Sequence, residues 1–174
     1  MSTGKNTKRY ETPNHPYQGE RIAQEGDLLG RYGLKNKEEL WRTQSELRSY
    51  RREARRLIGE AQGNMEEAEA AGAEFLSRLR RYGILSEDDD INDVLGLDVT
   101  DILERRLQTV VYRNGLASTP KQARQFIVHE HIVVDQARVS RPSKMVEANE
   151  EDKIRFDGTS PLADDLHPVR AEGQ

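Results

Sequence analysis

The chain has 174 residues, 34% hydrophobic and 33% charged, enough for one or two modest cores but not for a large catalytic domain. It contains no cysteine, so a thiolate zinc site is excluded by composition alone. The net charge is −4, no apolar run is long enough to cross a membrane, and the start is polar and basic rather than that of a signal peptide; a cytoplasmic setting without a membrane partner is expected.

The acidic total hides an uneven distribution. Residues 1–58 carry 13 basic and 8 acidic side chains, 59–101 carry 3 and 12, 102–146 carry 8 and 3, and 147–174 carry 3 and 8. Two basic regions are therefore separated by acidic surface. Arg outnumbers Lys 20 to 7, and the guanidinium is both the better fork for phosphate and the more weakly hydrated cation. Acidic excess with scarce lysine points to a salt-loaded, halophilic cytoplasm.

In chain order, residues 1–24 are rich in Lys, Asn, Pro and His and lack helical periodicity, so a basic extended arm is expected, with Lys5, Lys8 and Arg9 ordering on an anionic partner. Residues 25–101 read as a helical domain with an acidic linker. Asn36 and Glu39 form a capping box, and Leu40, Leu47, Tyr50, Leu57 and Ile58 make one buried stripe. Beside it Arg48, Arg51, Arg52 and Arg55 stand at i, i+3, i+4, i+7, and Arg42 precedes them. Pairing with Glu46 and Glu53 on a solvated helix is the plainer reading of that row; four arginines in line in an acidic protein favour phosphate contacts instead. Asn64 and Glu67 start a third helix that Gly83 ends, with glutamates in its first turn and arginines in its last to suit the dipole. Glu87 to Asp90 begin an acidic loop whose carboxylates could hold cations but suit a hydrated connection better.

From residue 102 to 157 the pattern changes to an α+β module of two helices packed on a short antiparallel sheet. Asp98 or Thr100 caps a helix with Ile102, Leu103, Leu107, Val110 and Val111 on one side, stopped at Gly115. Thr119, Pro120 and Gln122 start the second helix with cap, ring and box residue, and Ala123, Phe126 and Ile127 face inward. Its exposed side is expected to carry Lys121, Arg124, Gln125 and His129, with Arg105, Arg106 and Arg138 flanking and Arg141 and Lys144 following. Ile132 to Val134 read as a strand, Asp135 to Arg138 as a turn, and Val139 as the strand's restart. Residues 158–174 read as an acidic tail, strap or free. His129 and His131, placed on an extended segment, lack further ligands at a metal-site spacing, so no metal is expected. No phosphate-cradling glycine loop, nucleophile elbow or paired catalytic carboxylates occur; neither an enzyme nor a cofactor is expected.

Arg106-Leu107, Arg113-Asn114-Gly115-Leu116-Ala117, Ala123-Arg124-Gln125, His129-Glu130-His131-Ile132 and Arg141-Pro142-Ser143 resemble, in order and spacing, the RNA-binding domain named after ribosomal protein S-four. Tyr10-Glu11-Thr12-Pro13, the run from Arg31 to Arg42, and Tyr50-Arg51-Arg52-Glu53-Ala54-Arg55 look like the archaeal and eukaryotic S-four family itself, so the resemblance extends over about residues 7–156. The family usually has Gly between the two histidines, Asn-Gly in the turn and a common Asp where this chain has Glu130, Asp135-Gln136 and Gln108. The resemblance implies a structural constituent of the small ribosomal subunit, a primary binder of the five-prime domain of its RNA that nucleates assembly of the body and contributes to translational accuracy. It also implies S-five and S-twelve proteins as neighbours and messenger RNA near its entry path. The other reading of the same architecture is a ribosome-biogenesis factor. The cations expected to meet RNA are Lys5, Lys8, Arg9, Arg42, Arg48, Arg51, Arg52, Arg55, Arg105, Arg106, Lys121, Arg124, Arg138, Arg141 and Lys144, with Gln125 and His129 as neutral donors.

Overall fold

The computed structural model describes residues 8–171, so Lys5 lies outside the described residues. Residues 8–18 run without helix or strand along the second helix: the Glu11 N–H donates to Ser45 Oγ at 3.1 Å, and Tyr10 lies tilted on Trp41 with ring centroids 6.0 Å apart. The extended arm expected through residue 24 ends sooner, because α1 begins at Gly19 and runs to Tyr32 (Gly19–Tyr32). Leu28, Leu29 and Tyr32 pack into the core on this helix. Gly26 and Gly30 dilute the apolar signal, and the fourth inward position is an acid, Glu25, only 3% exposed. Glu25 accepts from Trp41 Nε1 at 3.1 Å and lies near Arg21 and Lys37, so its charge is compensated.

Gly33 ends α1 with φ 61°, the left-handed conformation that stops a helix at little cost only without a Cβ. A Cβ here would also lie 2.8 Å from Gln108 Nε2 and 2.9 Å from Pro120 Cβ. Next, α2 (Lys37–Glu60) starts at Asn36, whose side chain accepts the Glu39 N–H at 3.2 Å. The reciprocal half of the expected box is not made, since Glu39 accepts from the Lys35 N–H instead. After α3 (Met65–Arg81), Gly83 at φ 68° reverses the chain as expected, while the Asn64 side chain makes no cap bond. With a 3₁₀ turn at Asp93–Gly96 and α4 (Val99–Leu103), these helices enclose the first core, around Leu40, Leu47, Leu57, Phe75, Leu79, Val94, Ile102 and Leu103.

The single helix expected from residue 98 or 100 to Gly115 is in fact two, α4 and α5 (Leu107–Arg113). Arg106 is extended, with φ −72° and ψ 142°, and forms an antiparallel bridge with Met145. The Leu107 N–H donates to Lys144 O at 2.8 Å and the Val146 N–H to Arg105 O at 2.9 Å. Bonds to residues 144–146 replace helical ones, so the break leaves few backbone groups unsatisfied. It also sends Ile102 and Leu103 into the first core and Leu107, Val110 and Val111 into the second, so the cores divide some residues later than position 101.

The second core lies between α5, α6 (Pro120–Val128) and an antiparallel sheet of β1 (Ile132–Val134), β2 (Ala137–Arg138) and β3 (Ile154–Phe156) in the order β2-β1-β3. Thr119 Oγ1 accepts the Gln122 N–H at 3.1 Å, and Gln122 Oε1 reaches back past the cap to the Ser118 N–H at 2.6 Å. Val134 pairs with Ala137, so the turn is only Asp135-Gln136 and the strand restarts two residues before the expected Val139. Ile132, Val134, Ile154 and Phe156 face the core. The α+β class is as expected. Beyond the sheet, Ser160 caps a 3₁₀ turn whose Leu162 is buried, and Arg170, on α7 (Pro168–Ala171), lies 5.0 Å from the centre of the Phe156 ring. The C-terminal segment, as far as described, is a strap on the second core.

Candidate nucleic-acid interface

Arg105, Arg106 and Arg124 were expected to meet RNA, but the structure uses all three internally. Arg124, on α6, donates to Glu39 at the start of α2 through Nη2 at 2.5 Å and Nη1 at 3.1 Å. Its Nη1 also donates to Gln108 Oε1 at 3.1 Å, and Gln108 Nε2 donates to Gly33 O at 2.8 Å and Pro120 O at 2.9 Å. Arg106 is 4% exposed with Nη2 3.6 Å from the same Glu39 carboxylate. Arg105 is 9% exposed and donates to Tyr82 O, Glu151 and Val146 O. Helical spacing identifies a polar face but not whether a polar element of the same chain packs on it, and Arg106 leaves the helix altogether. Gln108, where the family commonly has Asp, holds two carbonyls that an acid could not satisfy.

This seam has its own electrostatics. Burial alone would raise the Glu39 carboxyl, but the Arg124 hydrogen bonds, the Lys35 N–H and the charges of Arg106 and Arg124 outweigh it and hold the group below the usual carboxylate range. Arg106 is pushed down, chiefly by burial, with Glu39 opposing. Two cations thus share one anion between the two cores.

At the surface the remaining candidates separate by what already engages them. Arg48 pairs with Glu11 at 3.2 Å, Arg42 with Glu38 at 3.7 Å, Arg138 with Asp157 at 2.5 Å and Lys144 with Glu150 at 2.7 Å. Arg51 turns inward to the Leu97 carbonyl, as the member of the row nearest the buried stripe. Lys8 lies 5.0 Å over the Tyr10 ring. Arg9, Arg52, Arg55, Lys121 and Arg141 are exposed and meet no acid partner among the described residues, and Gln125 and His129 are exposed on α6. The alternative pairing of the α2 row with Glu53 is not made: Glu53 goes to Arg56, at 2.6 Å. Exposed cations outside the expected set include Arg155. It lies on β3 and shares Val133 as a register partner with Arg138, so the two arginines flank Val133 on the outer face of the sheet. The alternation Ile154-Arg155-Phe156 carried that signal, but three residues are too short to stand out.

The histidines do not share an extended segment. His129 is the C-cap of α6 and Glu130, at φ 61°, turns the chain before His131, whose Nδ1 lies 2.8 Å from Ser160 Oγ. Among the described residues no group of three or more His, Asp or Glu is placed to hold a metal. Carboxylates of the acidic loop accept from the loop's own amides: Asp89 from the Ser86 N–H and Asp90 from the Asn92 N–H, each at 2.7 Å.

The S4 domain family matches residues 105–152. The chain is 83% identical to the small ribosomal subunit protein uS4 of Haloquadratum walsbyi over 100% of this chain and 99% of that protein. It is 71% identical to uS4 of Natronomonas pharaonis over the whole of both chains. It is 51% identical to uS4 of Methanococcus aeolicus over 95% of this chain and 93% of that one.

Proposed function

Since the chain belongs to the family of the small ribosomal subunit protein uS4, we propose that it is a structural constituent of that subunit which binds ribosomal RNA and catalyses no reaction. The observation that carries the RNA reading is the set of exposed cations left without acid partners in a chain of net charge −4. Many of its other arginines face a carboxylate or a carbonyl of the chain, as Arg42, Arg48 and Arg138 do, and the exposed cations without an acid partner at Arg9, Arg52, Arg55, Lys121 and Arg141 fit an anionic partner. Contacts to phosphates and ribose hydroxyls dominate, because an A-form helix hides its base edges in a deep groove and offers mainly shape. Arg105, Arg106 and Arg124 contribute by fixing the two halves relative to one another rather than by touching RNA.

The finer reading is primary binding to the five-prime domain, early nucleation of the subunit body, and a place beside the S-five and S-twelve proteins near the messenger entry path, with an effect on accuracy. Sedimentation of a tagged chain through a high-KCl sucrose gradient tests it. Co-migration with mature small subunits is expected; a chain found with precursor particles and absent from mature subunits is instead a biogenesis factor.

A further inference from the structure

An apolar groove of about 630 Å³ lies between the C-terminal half of α2, α3 and the loop that follows it. Leu57, Ile58, Leu76 and Ile91 line it, and Met65 stands beside them 70% exposed. Its charged lining is Glu69, Asp90 and Arg80. Arg80 is engaged, donating to Asp89 O at 2.7 Å and Ser86 O at 3.2 Å. The other two arginines of residues 59–101 are also turned to this chain, Arg78 over the Phe75 ring at 5.5 Å and Arg81 to Glu147 at 3.4 Å. Twelve acids stand in that segment against these three cations. The face is therefore an apolar slot whose α3 and loop side is acidic.

RNA does not suit the slot itself, since its lining carries two carboxylates and the arginine in that lining is engaged by backbone carbonyls. An apolar side chain carried between lysines or arginines suits it on both counts: the slot removes apolar area from water, and the acids meet the flanking charges. Resting on the ribosomal reading, we propose that this groove docks a segment of a neighbouring protein of the small subunit, an aliphatic or aromatic residue flanked by Lys or Arg. The acidic segment is then a protein-facing surface, and the cations of α2 and α6 the RNA-facing one.

The test places the photo-crosslinking residue benzoylphenylalanine at Met65 in the full-length protein, purifies mature small subunits at high KCl, irradiates them and sequences the adduct. Met65 is exposed enough for the change to leave folding intact. The expected adduct is a peptide of another subunit protein, reacted within a few residues of Lys or Arg. Ala73→Lys, on an exposed position of the groove wall, is expected to lower its yield about tenfold while the chain still enters subunits, because a cation on the wall repels the Lys or Arg that flank the incoming side chain. An adduct on ribosomal RNA, on a second copy of this chain or on an acidic peptide overturns the proposal, as does a chain present in subunits without an adduct or with one indifferent to Ala73→Lys. A chain absent from mature subunits overturns the ribosomal reading as well.

Discussion

Glu39 is the residue on which the two halves turn, since it receives Arg124 directly and Arg106 at longer range while its neighbour in the seam, Gln108, binds Gly33 and Pro120. Removing the Arg124 side chain leaves a carboxylate 18% exposed with its main partner gone. Arg124→Ala is therefore expected to lower unfolding stability by about 1–3 kcal/mol in urea melts; an unchanged midpoint would show that water already screens the pair. The pH dependence has a definite sign. Glu39 and Glu151 are both depressed in the folded protein, Glu39 by charges and hydrogen bonds that overcome burial and Glu151 first by its Arg105 hydrogen bond. Their stabilisation is complete above the unfolded carboxylate value near 4.5 and is lost as pH falls through the lower folded values. Glu39→Gln is thus expected to be less stable than the parent at neutral pH but to lose less further stability on acidification, read as a smaller shift in melting midpoint between neutral and acid buffer. The positions of the cations were legible in the sequence, but which of them pair within the chain was not, because Glu39 and Arg124 are 85 positions apart and no local pattern joins them.

Among the elements, helix starts marked by a cap residue type were the easiest to read: α2, α3 and α6 begin where Asn36, Asn64 and Thr119 say they should, although Asn64 makes no cap bond. Elements settled by distant partners were not. α1 buries an acid, β3 exists because it pairs with β1, and α4 separates from α5 because Arg106 bridges Met145. Two of the departures from the family pattern fall at the two non-glycine residues with positive φ among the described residues, Glu130 at 61° and Asp135 at 58°. Asp tolerates that region better than Glu, so most of the strain lies at Glu130. Glu130→Gly relieves a cost of roughly 1–2 kcal/mol but adds unfolded-chain entropy, and a net gain of up to about 1 kcal/mol is expected in urea melts. Loss of stability would show that the Glu130 side chain holds the loop. Gly33→Ala is expected to destabilise by more than about 1 kcal/mol, since it combines the left-handed conformation with contacts to Gln108 and Pro120 that a Cβ would bring under 3 Å.

For the whole molecule, charge was the property most fully legible in advance, as two basic regions and two acidic ones in a chain of net charge −4. Like charges within the acidic regions oppose compaction in dilute buffer, and molar salt shortens the Debye length to ~3 Å. The free protein is expected to melt at higher temperature as KCl rises to molar levels; a flat or falling midpoint would show that screening of the ion pairs outweighs relief of the repulsion. Cations left unpaired by the fold, and not those locked in the seam, are expected to bind the RNA. The most direct test is titration of the parent and of a variant with Arg52, Arg55, Lys121 and Arg141 all changed to Gln against the five-prime domain of small-subunit RNA over a range of KCl. The expected result is unchanged folding, weaker binding, and a salt slope shallower by about one unit for each lost contact. Equal affinity and equal slope for the two proteins would contradict it.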